Sequence, residues 1–163
     1  MKIVGIDPGP VHSGLVVFDT DLRCVTESHA EMENADIERR MGLLVPTLDG
    51  DWCVCEDVVF YGPDVFPGKS TFDTCKQIGR VWKTWGRDNR WAFINRREVK
   101  ERLCGNARAK DPQVNETLRL RIGERGTTKN PGPTHGVAGH AWSALAVVVT
   151  WLDLNGIQTR NVP

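Results

Sequence analysis

Two acidic residues of this chain stand in apolar runs from which a strand would hand a side chain to a site. Asp7 closes Lys2-Ile3-Val4-Gly5-Ile6-Asp7 and leads at once into Pro8-Gly9-Pro10. Glu56 stands within a second run, Trp52-Cys53-Val54-Cys55-Glu56-Asp57-Val58-Val59-Phe60. A carboxylate delivered by a buried strand is costly unless something pairs with it, which marks both as candidate site residues. For Asp7 the plain alternative is a solvated residue opening a Pro-Gly turn. His140 and Ser143 lie three residues apart at the start of the last apolar segment, on one face if that segment is helical. These four side chains converge only if that segment packs beside the two strands.

The periodicity supplies elements able to bring them together. Strands are predicted at about 2–7, 13–19 and 24–33, so three strands precede any long helix. A short helix over about 35–45, capped by Asn34 and ended near Pro46, is followed by a buried strand over about 52–60. The Gly/Pro-rich link from Tyr61 to Gly68 leads to a helix over about 70–86, with Phe72, Cys75, Ile78, Gly79, Trp82 and Trp85 as its apolar side. Trp91-Ala92-Phe93-Ile94 reads as a strand, and helices follow over about 97–103 and 112–122, with Pro112 at a first helical position. Glu124 to Gly136 reads as a loop, and a final helix over about 138–153 turns Ala141, Ala144, Leu145, Val148 and Leu152 inward. This order predicts an α/β fold: a mixed sheet with helices on both faces.

The 163 residues, 40% of them hydrophobic, suit one domain over 1–163. The longest late apolar run, Ala144 to Val149, falls far short of the roughly 20 residues that cross a bilayer, and no signal-like segment opens the chain, so an intracellular protein without a membrane partner is expected. Five cysteines without a C-x-x-C pair predict reduced core thiols. The formal net charge is zero, yet residues 1–68 carry 4 Lys/Arg against 13 Asp/Glu, while residues 69–129 carry 16 against 7. A polyanion responds to such a local basic surface, which makes nucleic acid a credible partner; solvated helix faces are the alternative.

Several segments, in order along most of the chain, carry a resemblance. They are Gly5-Ile6-Asp7-Pro8-Gly9, Glu56 followed by Tyr61-Gly62, Thr74-Cys75-Lys76-Gln77-Ile78-Gly79-Arg80, and Arg97-Glu98-Val99-Lys100. Leu103-Cys104-Gly105-Asn106-Ala107-Arg108-Ala109-Lys110-Asp111, Asn130-Pro131-Gly132-Pro133 and Gly136-Val137-Ala138-Gly139-His140-Ala141-Trp142-Ser143-Ala144-Leu145-Ala146 continue it. Together they resemble the RuvC family of Holliday-junction resolvases, within the RNase H-like superfamily, and especially its small bacteriophage-type members. The resemblance implies an RNase H-like mixed five-stranded sheet and a homodimeric crossover junction endodeoxyribonuclease of DNA recombination, acting in the cytoplasm of a bacterial host cell if phage-encoded. It also implies two Mg²⁺ ions about 4 Å apart at the scissile phosphate, with Mn²⁺ as a substitute. Asp7 would bridge the ions, Glu56 would hold one, and His140 would take the position where the family places an Asp or His ligand. The family usually has a further Asp three residues on, where this chain has Ser143, so the inner shell keeps fewer anions. Asp57 is an imperfect substitute because strand alternation turns it away from Glu56, unless a bulge intervenes.

Four-way or branched DNA would be held through phosphates by the basic middle of the chain, with Lys69, Lys76, Arg80, Arg108 and Lys110 as candidate contacts. Tyr61 and Phe66 flank the loop after Glu56 and are candidates for stacking on an opened base pair. Two other readings stay open. The missing acid suits a catalytically weak or silent branched-DNA-binding protein, and Gly5-Ile6-Asp7-Pro8-Gly9 also resembles the first phosphate-binding strand of actin-like kinases, whose architecture needs roughly twice this length.

Overall fold

The computed structural model describes residues 1–44, 51–59 and 67–159. Tyr61 and Phe66, and the helix end expected at Pro46, lie outside the described residues. Five strands, β1 (Lys2–Asp7), β2 (His12–Asp19), β3 (Cys24–Glu33), β4 (Trp52–Asp57) and β5 (Trp91–Asn95), form one sheet in the order β3-β2-β1-β4-β5. The first three make an antiparallel meander, and β4 and β5 run parallel to β1. Helices α1 (Asn34–Leu44) and α2 (Lys69–Trp85) cover one face; α3 (Arg96–Cys104), α4 (Asp111–Ile122) and α5 (Ala141–Leu154) belong to the other.

Strand alternation divides the core. Val4, Ile6, Cys53 and Cys55 pack with Ile37, Met41, Ile78, Val81 and Trp85 of α1 and α2. Ile3, Val16, Val54 and Ile94 pack instead with α5 and the inner sides of α3 and α4. Helix α5 is apolar all round, which suits a helix enclosed on every side, and every residue from Ala144 to Leu152 is buried.

Two glycines set how closely α5 approaches. A Cβ on Gly5 of β1 would run into the Ala144 carbonyl and come within 2.6 Å of Val148 Cγ2, and one on Gly14 of β2 would stand 2.5 Å from the His140 carbonyl carbon. At the same level the β2–β3 register slips between Ser13 and Leu15, and the Ala30 carbonyl accepts the His140 N–H at 3.2 Å. The slip and the two missing side chains together seat the start of α5 on the ends of β1 and β2.

Three expectations need correction. The apolar side assigned to α2 is two faces: Thr74, Gln77, Ile78, Val81 and Trp85 are buried, whereas Phe72, Cys75 and Trp82 are exposed. Asn34 begins α1, but its side chain serves the turn after Asp7, with Oδ1 accepting from Ser13 Oγ at 2.7 Å and Nδ2 donating to the Gly9 carbonyl at 3.0 Å. The last helix begins at Ala141, not 138, because Gly139, with φ +46°, turns the chain against Ala30 first.

Replacing Gly5 or Gly14 with Ala should therefore destabilise the fold by about 2–3 kcal/mol, since the added methyl meets backbone that cannot yield locally. Gly79, on an open face of α2 with nothing near its Cβ position, is the control: its replacement by Ala should stabilise by about 0.5–1 kcal/mol through helix propensity. Denaturant unfolding of the three variants checks both signs.

Candidate active site

The parallel register of β1 and β4 matches Ile6 with Cys55, so Asp7 and Glu56 follow on neighbouring strand ends and share the α5 face with Gly5 and Val54. Asp57 shares the opposite face with Cys53 and Cys55, and β4 pairs with β5 in unbroken register through Asp57, which leaves no bulge to turn it back. It does not replace the acid missing at Ser143.

His140 reaches Asp7 from above, with Nδ1 at 2.9 Å from Oδ2. A carboxylate accepts, so Nδ1 carries the proton and, in the neutral ring, Nε2 keeps its lone pair. The imidazole is thus satisfied by a carboxylate, not by backbone, and its side chain remains 60% exposed. Ser143, one turn further along α5, lies near enough to Asp7 for its hydroxyl to favour the charged carboxylate. Burial nonetheless raises the Asp7 pKa above the usual range, with His140, Arg96 and Ser143 pulling the other way. Glu56 is shifted further: burial first, then the neighbouring Asp7 charge, push it up to about 7.

Arg96 was not among the candidate residues. It lies directly after β5, whose Ile94 pairs with Glu56, and its Nη1 stands 3.4 Å from Glu56 Oε2. Its Nη2 donates to Asp111 Oδ1 at 2.6 Å, where Lys100 Nζ also approaches to 3.7 Å. The signal available in the sequence was position: the first residue past a strand parallel to the Glu56 strand must lie near that strand's acid.

Two adjacent carboxylates, both disfavoured as anions by burial, form a donor pair that a divalent cation would relieve, and their oxygen chemistry suits Mg²⁺ or Mn²⁺. Among the described residues, however, no three His, Cys, Asp or Glu side chains stand close enough together to hold an ion as they are. Asp7 and Glu56 fit as ligands, and the neutral His140 ring, holding Asp7 through Nδ1, keeps its Nε2 lone pair.

The candidate DNA contacts divide between the faces. Arg108 lies beside Arg96, Arg97 and Lys100 around a shallow recess on the side of the acids. Lys110 immediately precedes α4, its N–H donating to Gln113 Oε1 at 2.8 Å. Lys69 and Lys76 both pair with Asp73, at 2.6 and 3.0 Å, and Arg80 lies 3.8 Å from Glu38; all three belong to α2, across the sheet from Asp7. A larger recess, of about 830 Å³, lies between α3, α4 and the chain after α5. Its Arg121 and Asp153 form a closed pair at 2.8 and 2.5 Å, a structural contact remote from the acids.

No protein-family model matches the chain, and no curated protein matches it by sequence. Solved structures do. The chain is similar to the Thermus thermophilus RuvC structure, with a TM-score of 0.72 and 18% identity over 97% of this chain and 98% of that one. It is likewise similar to T. thermophilus RuvC in complex with a Holliday junction substrate, with a TM-score of 0.70, 18% identity and the same coverage. The fold is therefore that of RuvC, an RNase H-like mixed five-stranded sheet with helices on both faces.

The raised Glu56 pKa has a consequence for stability. Its folded value of about 7 lies above the ordinary glutamate value of 4.5, so the folded state binds a proton that the unfolded state has released. The Glu56 contribution is most favourable below pH 4.5 and is lost as pH rises through 7, a cost of about 3 kcal/mol at alkaline pH. In the presence of chelator, Glu56→Gln should raise Tm relative to the parent at pH 8, with the difference vanishing near pH 5. A Tm difference independent of pH would show that Glu56 is not held against its charge.

Proposed function

We propose that this protein is a metal-dependent endodeoxyribonuclease that resolves Holliday junctions or other branched DNA in a bacterial cytoplasm. The observation that carries this reading is the pair Asp7 and Glu56, side by side on the ends of β1 and β4 with His140 and Ser143 set over Asp7. The likeness to a RuvC structure in complex with junction substrate supports the choice of DNA.

Asp7 and Glu56 would hold the divalent ions, which when bound supply charge stabilisation to the attacking water and the departing 3′ oxygen. The remaining work falls to the chain itself. His140 fixes the rotamer of the Asp7 carboxylate through Nδ1, and the Ser143 hydroxyl favours the charged form of the same group. Partial burial at the foot of α5 limits the water around both acids, so a cation gains more there than at an open surface. Arg108 and Lys110 would hold phosphates beside the acids. Lys69, Lys76 and Arg80 would contact DNA only where it reaches the α2 side.

We infer a homodimer through that α2 side. Phe72 is 55% exposed, Trp82 and Phe93 are each 41% exposed, and the Trp82 and Phe93 rings stand 6.5 Å apart, extending the apolar surface from α2 to the edge strand β5. A catalytically weak or silent branched-DNA-binding protein is the second reading. It is favoured by Arg96, which already gives Glu56 a cation, and by the lack of a three-ligand cluster among the described residues.

On a synthetic four-way junction with Mg²⁺, Asp7→Asn should lower cleavage by roughly 10³-fold or more while leaving junction affinity within about twofold. Unchanged scission by this variant would remove Asp7 from the mechanism, and absent scission by the parent with both Mg²⁺ and Mn²⁺ would favour the silent reading. Separately, replacing Arg108 and Lys110 together with Gln should weaken junction binding and reduce the slope of log K against log salt by about 2, measured by fluorescence anisotropy. Equal slopes would put both residues off the DNA path.

A further inference from the structure

Arg96 stands where the acid pair meets the basic side of the molecule. One guanidinium nitrogen lies 3.4 Å from Glu56 Oε2 and the other 2.6 Å from Asp111 Oδ1, and the side chain is 25% exposed. The same residue lines a recess of about 390 Å³ together with Arg97, Lys100, Ala107 and Arg108. Four of those five residues are cationic and none is acidic, so the recess concentrates positive potential and suits an anion. The carboxylates that balance it stand at its rim: Asp111 is shared by Arg96 and Lys100, and Glu101 accepts from Arg97 at 2.9 Å.

The two bonds of Arg96 are unequal. The contact with Asp111 has the length of a strong charge-assisted hydrogen bond, whereas the 3.4 Å contact with Glu56 is well beyond the usual 2.7–2.9 Å. A phosphate offers a guanidinium a pair of acceptor oxygens, as a carboxylate does, and a guanidinium can change partner by side-chain rotation alone. We propose that Arg96 is a transferable cation: it bridges Glu56 and Asp111 in the free protein, and a DNA phosphate seated in the recess draws it off Glu56, freeing that carboxylate to take a divalent ion. This rests on the nuclease reading and adds to it an order of events, in which DNA binding arms the acid site. No covalent bond changes; one charge-assisted contact replaces another.

The test uses measurements that a merely structural ion pair would move together. Arg96→Gln should weaken junction binding about fivefold in chelator and lower the salt slope by about 1, since one phosphate contact is lost. In the absence of DNA it should also tighten Mn²⁺ binding several-fold, measured by electron paramagnetic resonance, because Glu56 loses its competitor. Arg96→Lys, which keeps the charge without the fork, should fall between. An unchanged salt slope, or Mn²⁺ affinity that falls along with junction affinity, would overturn the proposal. Asp111, 64% exposed, gives a second arm that leaves Asp7 and Glu56 in place. Asp111→Asn should tighten junction binding, and that gain should shrink in the Arg96→Gln background; equal gains in both backgrounds would mean that Arg96 does not transfer. If the parent binds no junction at all, the nuclease reading fails, and titration with inorganic phosphate decides the recess alone. Amide shifts at Arg96, Ala107 and Arg108 would support an anion site, and none would overturn it.

Discussion

The approach of α5 to two glycines governs the rest of this structure. Helix α5 is apolar on every side, so burial drives it into the centre of the fold, but burial alone does not set its height above the sheet. That height is set where the Ala144 carbonyl lies over Gly5 and the His140 backbone lies over Gly14. Gly14 is also the residue paired with Asp7 across β1 and β2, so the space beside the acid is empty on that side. The His140 backbone and Cβ occupy it. A side chain at either glycine would lift the start of α5, and the His140–Asp7 bond would be lost before any acid was changed.

This close packing has an electrostatic cost that a different arrangement would avoid. Asp7 and Glu56 end parallel neighbouring strands on the same face, where burial disfavours both charges and each charge disfavours the other. The fold partly offsets this with His140 and Ser143 at Asp7 and with Arg96 at Glu56. It also begins α5 beside Asp7, where the positive end of the helix dipole favours an anion. The offset is incomplete, since Glu56 still titrates near neutrality. A group held in a state it resists, inside a cleft flanked by cations, is the usual condition of a site that waits for a ligand.

Most of the fold was legible because its signals are local. β1 and β3 have the predicted bounds, and α1, α3 and α4 start one residue before theirs; apolar alternation and a proline at the start of α4 suffice for that. Asp7 and Glu56 could be singled out for the same reason, as carboxylates in apolar runs, and His140 and Ser143 as polar residues near the start of an apolar segment. What could not be read was which of two faces wins. On α2 the aromatics suggested a core that Thr74, Ile78, Val81 and Trp85 form instead, because spacing alone does not say which stripe meets the sheet. Asn34 has the chemistry of a helix cap, yet its side chain holds the Gly9 turn and Ser13, a contact 25 residues distant that no local rule reports. The segment after α4, read as a plain loop, is pinned by the Gly126–Pro131 bridge and by Thr134 donating to the Gly123 carbonyl at 3.0 Å.

The uneven charge of the sequence takes its meaning from one feature of topology. The acidic first part of the chain supplies β1 to β4 and α1, and the basic middle supplies α2, β5, α3 and α4. β4 is the last strand of the acidic part and β5 the only strand of the basic one, and the two are parallel neighbours. Parallel neighbours end at the same edge of a sheet. The final acids of one part and the first cations of the next must then lie side by side, with Glu56 and Arg96 at the seam. An antiparallel β5 would have sent its following helix to the opposite edge and left the acids without a basic margin. A polyanion drawn to the α3–α4 side is thus led to Asp7 and Glu56 across Arg96, and the direction of a single strand decides that attraction and reactivity share an edge.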